Sequence, residues 1–413
     1  MGPNEETGTA VRGPAGSASS EPEGGGTKRK GQRTETRHAY RHFGWPQVFA
    51  CLLLLVFLAQ GVWLAIHVPF DADELSYLRP QASPELPAAR SPATVLLARV
   101  GSIAASPELH PSTGAPPHPS TPEAGVPGTP PLWPVRVPFL LVGTALGASL
   151  WYVARRLCGN TGGGVALALY TFSPSMLTYS ARVRPETIAA WSVFGCIFTS
   201  IAVAHTLYAP REVILWNWKR ILLLGTALGL SAASHLATAT VAALGLAFML
   251  YLVPERSRAA LAIMGAALAV GCIWFGGLER LRLEASSAAA LGNLMPKIPG
   301  DPGWAGQSVA LQLLRDGPGF LLLLLSALGA LAVWRRPRFF GTLAPLLAAA
   351  FVLLCGAAFP APGFSFMAVA LPFLFVFTAG VWADLLQSRL APLTAAILLA
   401  ALAIHAYWPH AKP

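Results

Sequence analysis

Three carboxylates fall within four residues at Asp71, Asp73 and Glu74, directly after an apolar stretch over 46–67 that is long enough to cross a bilayer. Acids at the mouth of a membrane helix are costly unless they have a task. They could take a proton, bind a metal ion or pair with a cation. On a helix the adjacent Asp73 and Glu74 diverge by about 100 degrees, so they suit separate roles better than a shared proton. Asp71 and Asp73 would fall on one side if the segment is extended. An Asp partly desolvated beside lipid headgroups has its pKa pushed up, a useful setting for a general base. The plain alternative is that the three acids cap the N-terminus of the next helix.

A second constellation reads Ala181-Arg-Val-Arg-Pro-Glu186. Two arginines at i and i+2, Arg182 and Arg184, suit a phosphate, which guanidinium grips as a fork. Interfacial snorkelling is the other reading for them. Glu186 opens an apolar span and could serve only as its N-terminal acid. Arg136, at the start of another span, is a further phosphate candidate. His110 and His118 could ligate a metal from a Pro-rich loop, and His235 lies in a polar turn where a site role is open.

These residues need elements to hold them, and composition says which. The chain has 413 residues, 54% hydrophobic and 12% charged, with mean hydropathy +0.54. A soluble domain has about 25% charged residues, so the apolar excess must face lipid. The expected fold is all-α, a polytopic transmembrane protein. Eleven spans are expected, at about 46–67, 137–155, 163–180, 187–208, 220–234, 236–253, 259–277, 319–334, 339–359, 364–383 and 390–408. Residues 220–253 are too long for one helix, and the Ser, His and Thr residues in their middle predict a tight turn. Residues 1–44 read as a disordered, basic cytoplasmic tail, ahead of a membrane domain over 45–413. The length and polarity of that tail argue against a cleaved signal peptide. The five cysteines are scattered in or beside apolar spans, with no metal spacing and no disulfide framework.

Charge tests the arrangement. With the N-terminus inside, inner segments carry 18 of the 29 Lys and Arg but 8 of the 19 acids. The whole net charge of +10 therefore falls on one face, which is the positive-inside pattern. That face suits anionic membrane lipid, not nucleic acid. Two large loops face outward, 68–136 and 278–318. The first carries the acidic cluster, an amphipathic stretch over 92–105 suited to an interfacial helix, and His-Pro-Ser-Thr at 110–113 and again at 118–121.

The order of these parts resembles the GT-C superfamily of integral membrane glycosyltransferases, most of all the branch with protein O-mannosyltransferases and lipid A aminoarabinose transferases. The resemblance covers roughly 45–250 and rests on Asp73-Glu74-Leu-Ser-Tyr77, a His-Pro element, Arg136-Val-Pro138 entering a span, and Phe172-Ser-Pro174 followed by Arg184-Pro-Glu186. It implies a polyprenyl-phosphate sugar donor used at the outer face of the cytoplasmic membrane. The sugar would pass with inversion to a protein, lipid or glycan acceptor. By the motif match Asp73 is the catalytic base, Glu74 supports it or holds a divalent metal ion, and Tyr77 orders the loop. Glu186 is the acid of the second outer loop, and Arg184 stands where donor phosphate could be held. Between the two histidines, His110 fits the family's position better. The sequence departs from the family in two places. The His-Pro-Pro element is His-Pro-Ser here, and the segment from Phe364 to Pro372 has no cation. Donor phosphate would then lean on Arg182, Arg184, Arg280 or Arg282.

Two other functions compete with transfer. A flippase or transporter of lipid-linked sugars would place charges in broken helices at midplane, whereas span interiors here hold no Asp or Glu and no inverted repeat is visible. A non-catalytic assembly subunit would leave the acidic cluster as a helix cap alone.

Overall fold

The computed structural model describes residues 44–71, 74, 77, 91–105, 133–208, 218–283, 318–333, 339–358, 364–388 and 391–407. Asp73, His110 and His118, the tail up to residue 43 and most of the loop 278–318 lie outside these residues. Among the described residues every regular element is helical and there is no strand. The helices are α1 (Trp45–His67), α2 (Pro92–Ala105), α3 (Val137–Thr171), α4 (Pro174–Ser180), α5 (Glu186–Leu207), α6 (Trp218–Ser234), α7 (Leu236–Leu252), α8 (Ser257–Leu283), α9 (Pro318–Val333), α10 (Ala344–Ala358), α11 (Phe366–Leu385) and α12 (Ala391–Tyr407). Among the described residues six helical segments are long and apolar enough to cross a membrane, and four shorter apolar helices accompany them. Each of the eleven expected spans overlaps one of these helices, and the stretch expected at the interface is α2.

Two of the expected turns have clear physical causes. Helix α3 contains Gly159 at φ +79°, a left-handed conformation that glycine adopts without strain. The chain folds back there, so that the Tyr170 hydroxyl donates to the Gly143 carbonyl at 2.6 Å. The two expected spans over 137–180 are therefore antiparallel arms, and the second ends where Ser173 and Pro174 start α4. Ser173 accepts the Met176 N–H as N-cap. The second turn is His235, which separates α6 from α7. There Thr238 Oγ1 donates to the carbonyl of Ser231 at 2.8 Å and Ser234 Oγ donates to that same carbonyl at 2.9 Å.

Helix α11 is apolar all round and buried from Phe366 to Ala383, the pattern of a central helix in a bundle. Phe194 and Phe198 of α5 pack on its Phe373, while Phe320 of α9 and Tyr170 of α3 meet its Phe375. Helix α1 instead exposes Phe49, Leu52, Leu55, Trp63 and Ile66, a face suited to lipid. Helices α6 and α8 cross closely because Gly225 leaves no room for a Cβ, which would lie 2.5 Å from the Val270 Cβ. Small residues allow such approaches where hydrophobic burial cannot drive association.

Candidate functional site

Glu74 and Arg136 form the most enclosed polar contact at one end of the bundle. Their side chains are both 0% exposed, and Arg136 Nη2 lies 2.6 Å from Glu74 Oε2. The Nε group adds a bond to Glu74 Oε1 at 3.0 Å. The remaining Arg136 donors go to backbone carbonyls at the end of α1. Nη1 donates to Ala65 and Val68, at 3.0 and 2.7 Å, and Nη2 donates to Pro69 at 3.1 Å. All five guanidinium N–H groups are thus used, and the Phe70 ring covers the guanidinium at 3.9 Å. The last carbonyls of a helix have no partner inside it, and Arg136 supplies one to Ala65 of α1 from 71 residues downstream.

Glu74 is equally saturated. Oε1 accepts from Arg136 and from the Val183 N–H at 2.8 Å. Oε2 accepts from Arg136 and from the Asp71 N–H at 3.2 Å. A carboxylate offers about four lone-pair directions, and all are engaged. The expectation that Glu74 ligates a metal ion does not fit this arrangement, since no lone pair points outward. Among the described residues no three His, Cys, Asp or Glu side chains gather where a metal could sit. His110, the other metal candidate, lies outside the described residues. Arg136, considered as a phosphate ligand, likewise has no donor to spare. Its work is to join the end of α1 to the start of α3.

Asp71 links this dry pair to a wetter one. Its Oδ1 accepts the Glu74 N–H at 2.8 Å. With the return bond from the Asp71 N–H to Glu74, this makes a reciprocal capping box. The expectation that acids here cap a helix N-terminus is met by Asp71 and Glu74. The other Asp71 oxygen, Oδ2, accepts from Arg182 at 2.8 Å and from Arg184 at 3.0 Å. These side chains keep contact with solvent, at 29% for Asp71, 27% for Arg182 and 21% for Arg184. Burial opposes ionisation of Asp71. The Glu74 N–H and the two guanidinium groups outweigh it and hold the carboxyl below its ordinary range. As drawn, Asp71 is an ionised partner and not a proton acceptor.

Tyr77 and Glu186 follow close behind Glu74 and Arg184 in the chain, and His235 lies in the turn between α6 and α7. Tyr77, one helical turn beyond Glu74, is buried among Ala93, Val95, Phe139, Val183 and Leu278, where it holds the first loop against α2 and α3. Glu186 begins α5 and is fully buried. Its Oε1 accepts the Ser365 N–H at 3.4 Å, and the N-terminal end of α5 favours its charge. His235 stacks on Phe364 at 4.5 Å and meets Phe366 edge-on. Its Nδ1 accepts the Ala237 N–H at 3.2 Å, capping α7. Burial pushes the His235 pKa below its usual value, which keeps the ring neutral and able to accept. Arg280 is exposed on α8, and the Arg282 side chain lies outside the described residues.

Sequence reasoning singled out the charged residues but missed what connects them. The Val183 N–H stitches the second loop to Glu74, and residues 364–366 carry both the Glu186 and the His235 contacts. An apolar Phe-Ser-Phe at 364–366 offered no charge signal. A lone Arg136 at a helix mouth did offer one, because a buried guanidinium demands an acidic partner.

Arms of long apolar helices, with an acidic first loop docked on an arginine-bearing second loop at one end, define a polytopic helical membrane protein. Solved structures place it more narrowly in fold space. The chain is similar to ArnT from Cupriavidus metallidurans bound to undecaprenyl phosphate, with TM-score 0.57 and 14% identity over 87% of this chain and 63% of that one. The apo state of the same protein gives TM-score 0.54 at 13% identity over the same shares. The Archaeoglobus fulgidus oligosaccharyltransferase gives 0.52 at 12%, over 88% of this chain and 55% of that one. The chain thus spans less than two thirds of the length of each. No family profile and no curated protein matches it in sequence.

Proposed function

We propose that the protein is a glycosyltransferase of the cytoplasmic membrane that moves a sugar from a polyprenyl-phosphate donor to an acceptor hydroxyl or amine, with inversion. The observation that carries the reading is the convergence at one end of the bundle. There Asp71 of the acidic turn meets the closely spaced arginines of the 181–186 loop, Arg182 and Arg184, on a fold similar to that of a structure bound to undecaprenyl phosphate. The distribution of Lys and Arg along the chain supports an outer-face position for this end, with the N-terminus in the cytoplasm.

In this reading Asp73, which stands between Asp71 and Glu74 in the chain, takes the proton from the acceptor. The acceptor oxygen or nitrogen attacks the anomeric carbon from the side opposite the phosphate. The bond from that carbon to the phosphate oxygen breaks, and polyprenyl phosphate leaves with the electron pair. Arg182 and Arg184 neutralise the leaving phosphate. Glu186, His235 and Tyr77 shape the wall of the site, and Glu74 and Arg136 hold the loop. No step runs through a metal ion. The test is Asp73→Asn, with sugar transfer measured by mass spectrometry of surface lipids and glycoproteins. Loss of transfer at unchanged membrane abundance supports the mechanism, and full transfer removes it.

A further inference from the structure

The two ion pairs at the site differ in kind, and that difference carries a consequence for donor binding. Glu74–Arg136 is dry, and every donor and acceptor in it is used. Arg182 and Arg184 instead converge on a single oxygen, Asp71 Oδ2, and all three side chains touch solvent. We propose that Asp71 is an exchangeable internal anion, holding the two guanidinium groups in the resting protein and yielding them to the donor phosphate. This inference rests on the polyprenyl-phosphate reading above and concerns how that same site is regulated.

The chemistry of the exchange is balanced. A sugar-linked polyprenyl phosphate is a phosphodiester with one negative charge, the same as the carboxylate it displaces. It offers two non-bridging oxygens, one for each arginine, where Asp71 has one oxygen shared by both. Fork geometry favours the former. Partly solvated ion pairs are weak enough to give way, whereas a saturated buried pair is not. After transfer the product is a phosphomonoester with a second ionisable oxygen, which the arginines hold more firmly than either carboxylate or diester.

The exchange also has a mechanical result. Asp71 Oδ1 caps the turn that contains Glu74, and Glu74 is anchored by Arg136 and the Val183 N–H. Releasing Oδ2 takes the pull of the two arginines off Asp71, while Oδ1 and the Asp71 N–H keep their bonds to Glu74. Occupation of the phosphate site is thereby coupled to the residue that caps this turn.

The experiment measures binding of undecaprenyl phosphate and of inorganic phosphate to the full chain in nanodiscs, together with its melting temperature. The wild type is compared with Asp71→Asn, Asp71→Ser and the double variant Asp71→Asn with Arg184→Gln. Asn and Ser both remain good N-cap acceptors, so the turn keeps its cap while the competing charge is lost. Removing two partly exposed ion pairs is expected to tighten undecaprenyl phosphate binding roughly tenfold, and the double variant is expected to lose that gain. A gain with inorganic phosphate as well supports exchange at the headgroup alone. A gain with the lipid only supports exchange that needs the chain. If the wild type binds undecaprenyl phosphate and both Asp71 variants, folded, bind it no more tightly, the exchange is overturned while the donor reading stands. If no folded form binds it, the donor reading falls and takes the exchange with it.

Discussion

Arg136 reaches Glu74 across 62 residues of sequence and meets it at 2.6 Å in a pocket closed to solvent on both sides. The same guanidinium takes up three carbonyls at the end of α1. One side chain therefore fixes three things: where α1 stops, where α3 starts, and how the acidic turn sits between them. An acid at a membrane-helix mouth would be an unpaired buried charge without it.

Breaking this pair is expected to be severe. Glu74→Gln leaves a buried guanidinium without its counter-charge, a loss of roughly 3–5 kcal/mol by analogy with other buried pairs. Arg136→Lys removes the fork and most of the bonds to α1 and should fall in the same range. Thermal unfolding in detergent, followed by loss of monodisperse protein, checks this. Melting temperatures near wild type for both variants would show that the pair is not what holds the turn.

Asp71 predicts a distinct dependence on pH. Its folded pKa lies below the ordinary value of 3.8. A carboxyl with a depressed folded pKa stabilises the fold fully above its unfolded pKa and loses that contribution as pH falls through the folded value. The docking of Arg182 and Arg184 should therefore be insensitive to pH from 8 down to about 5 and weaken only in strong acid. Melting curves of the wild type and Asp71→Asn should run parallel over neutral pH and converge below the unfolded pKa. Convergence near neutrality would contradict the ion-pair assignment.

His235 has two separable jobs, a cap on α7 and a ring stacked on Phe364. His235→Ala removes both, while His235→Asn restores a cap acceptor and loses only the ring. Ala should destabilise by about 1–3 kcal/mol and Asn by roughly half of that. Equal losses in the two variants, read by denaturant titration, would mean that the cap contributes nothing.

The crossing of α6 and α8 depends on Gly225. A Cβ there would lie 2.5 Å from the Val270 Cβ and 2.8 Å from the Ala267 carbonyl. Gly225→Ala must push the two helices apart, and overpacking of this kind costs about 1–3 kcal/mol. The paired change with Val270→Ala should recover much of it. A neutral single variant in a thermal-shift assay would show that the crossing is looser than drawn.

Much of the fold was legible because it is written in local patterns. Apolar runs of bilayer length and a polar patch around His235 act within a few residues of themselves, whereas the span expected at 163–180 is broken at Phe172-Ser173, where Pro174 starts a new helix. The interfacial reading of 92–105 came from its amphipathic pattern, and a helix forms over that range. In the site, residue type alone marked Asp71, Glu74, Arg182, Arg184 and Glu186 as worth attention. Type could not distribute their roles. Asp71 and Glu74 look alike in sequence, yet one is solvated between two arginines and the other is dry and saturated.

By itself, then, the amino-acid sequence determined a helical membrane protein, the approximate placement of its helices and the short list of charged residues that need a reason to be where they are. Helix formation and lipid exposure depend on composition and periodicity over one or two turns, and those are written locally. Which charges pair was decided only when the chain closed. The Val183 N–H, the α1 carbonyls and the Ser365 N–H are backbone groups that every residue has, so no sequence pattern marks them. They become ligands only because burial leaves them no water and tertiary packing brings them within 3.4 Å of a charged side chain. That is what separates a locked Glu74 from an exchangeable Asp71, three residues apart.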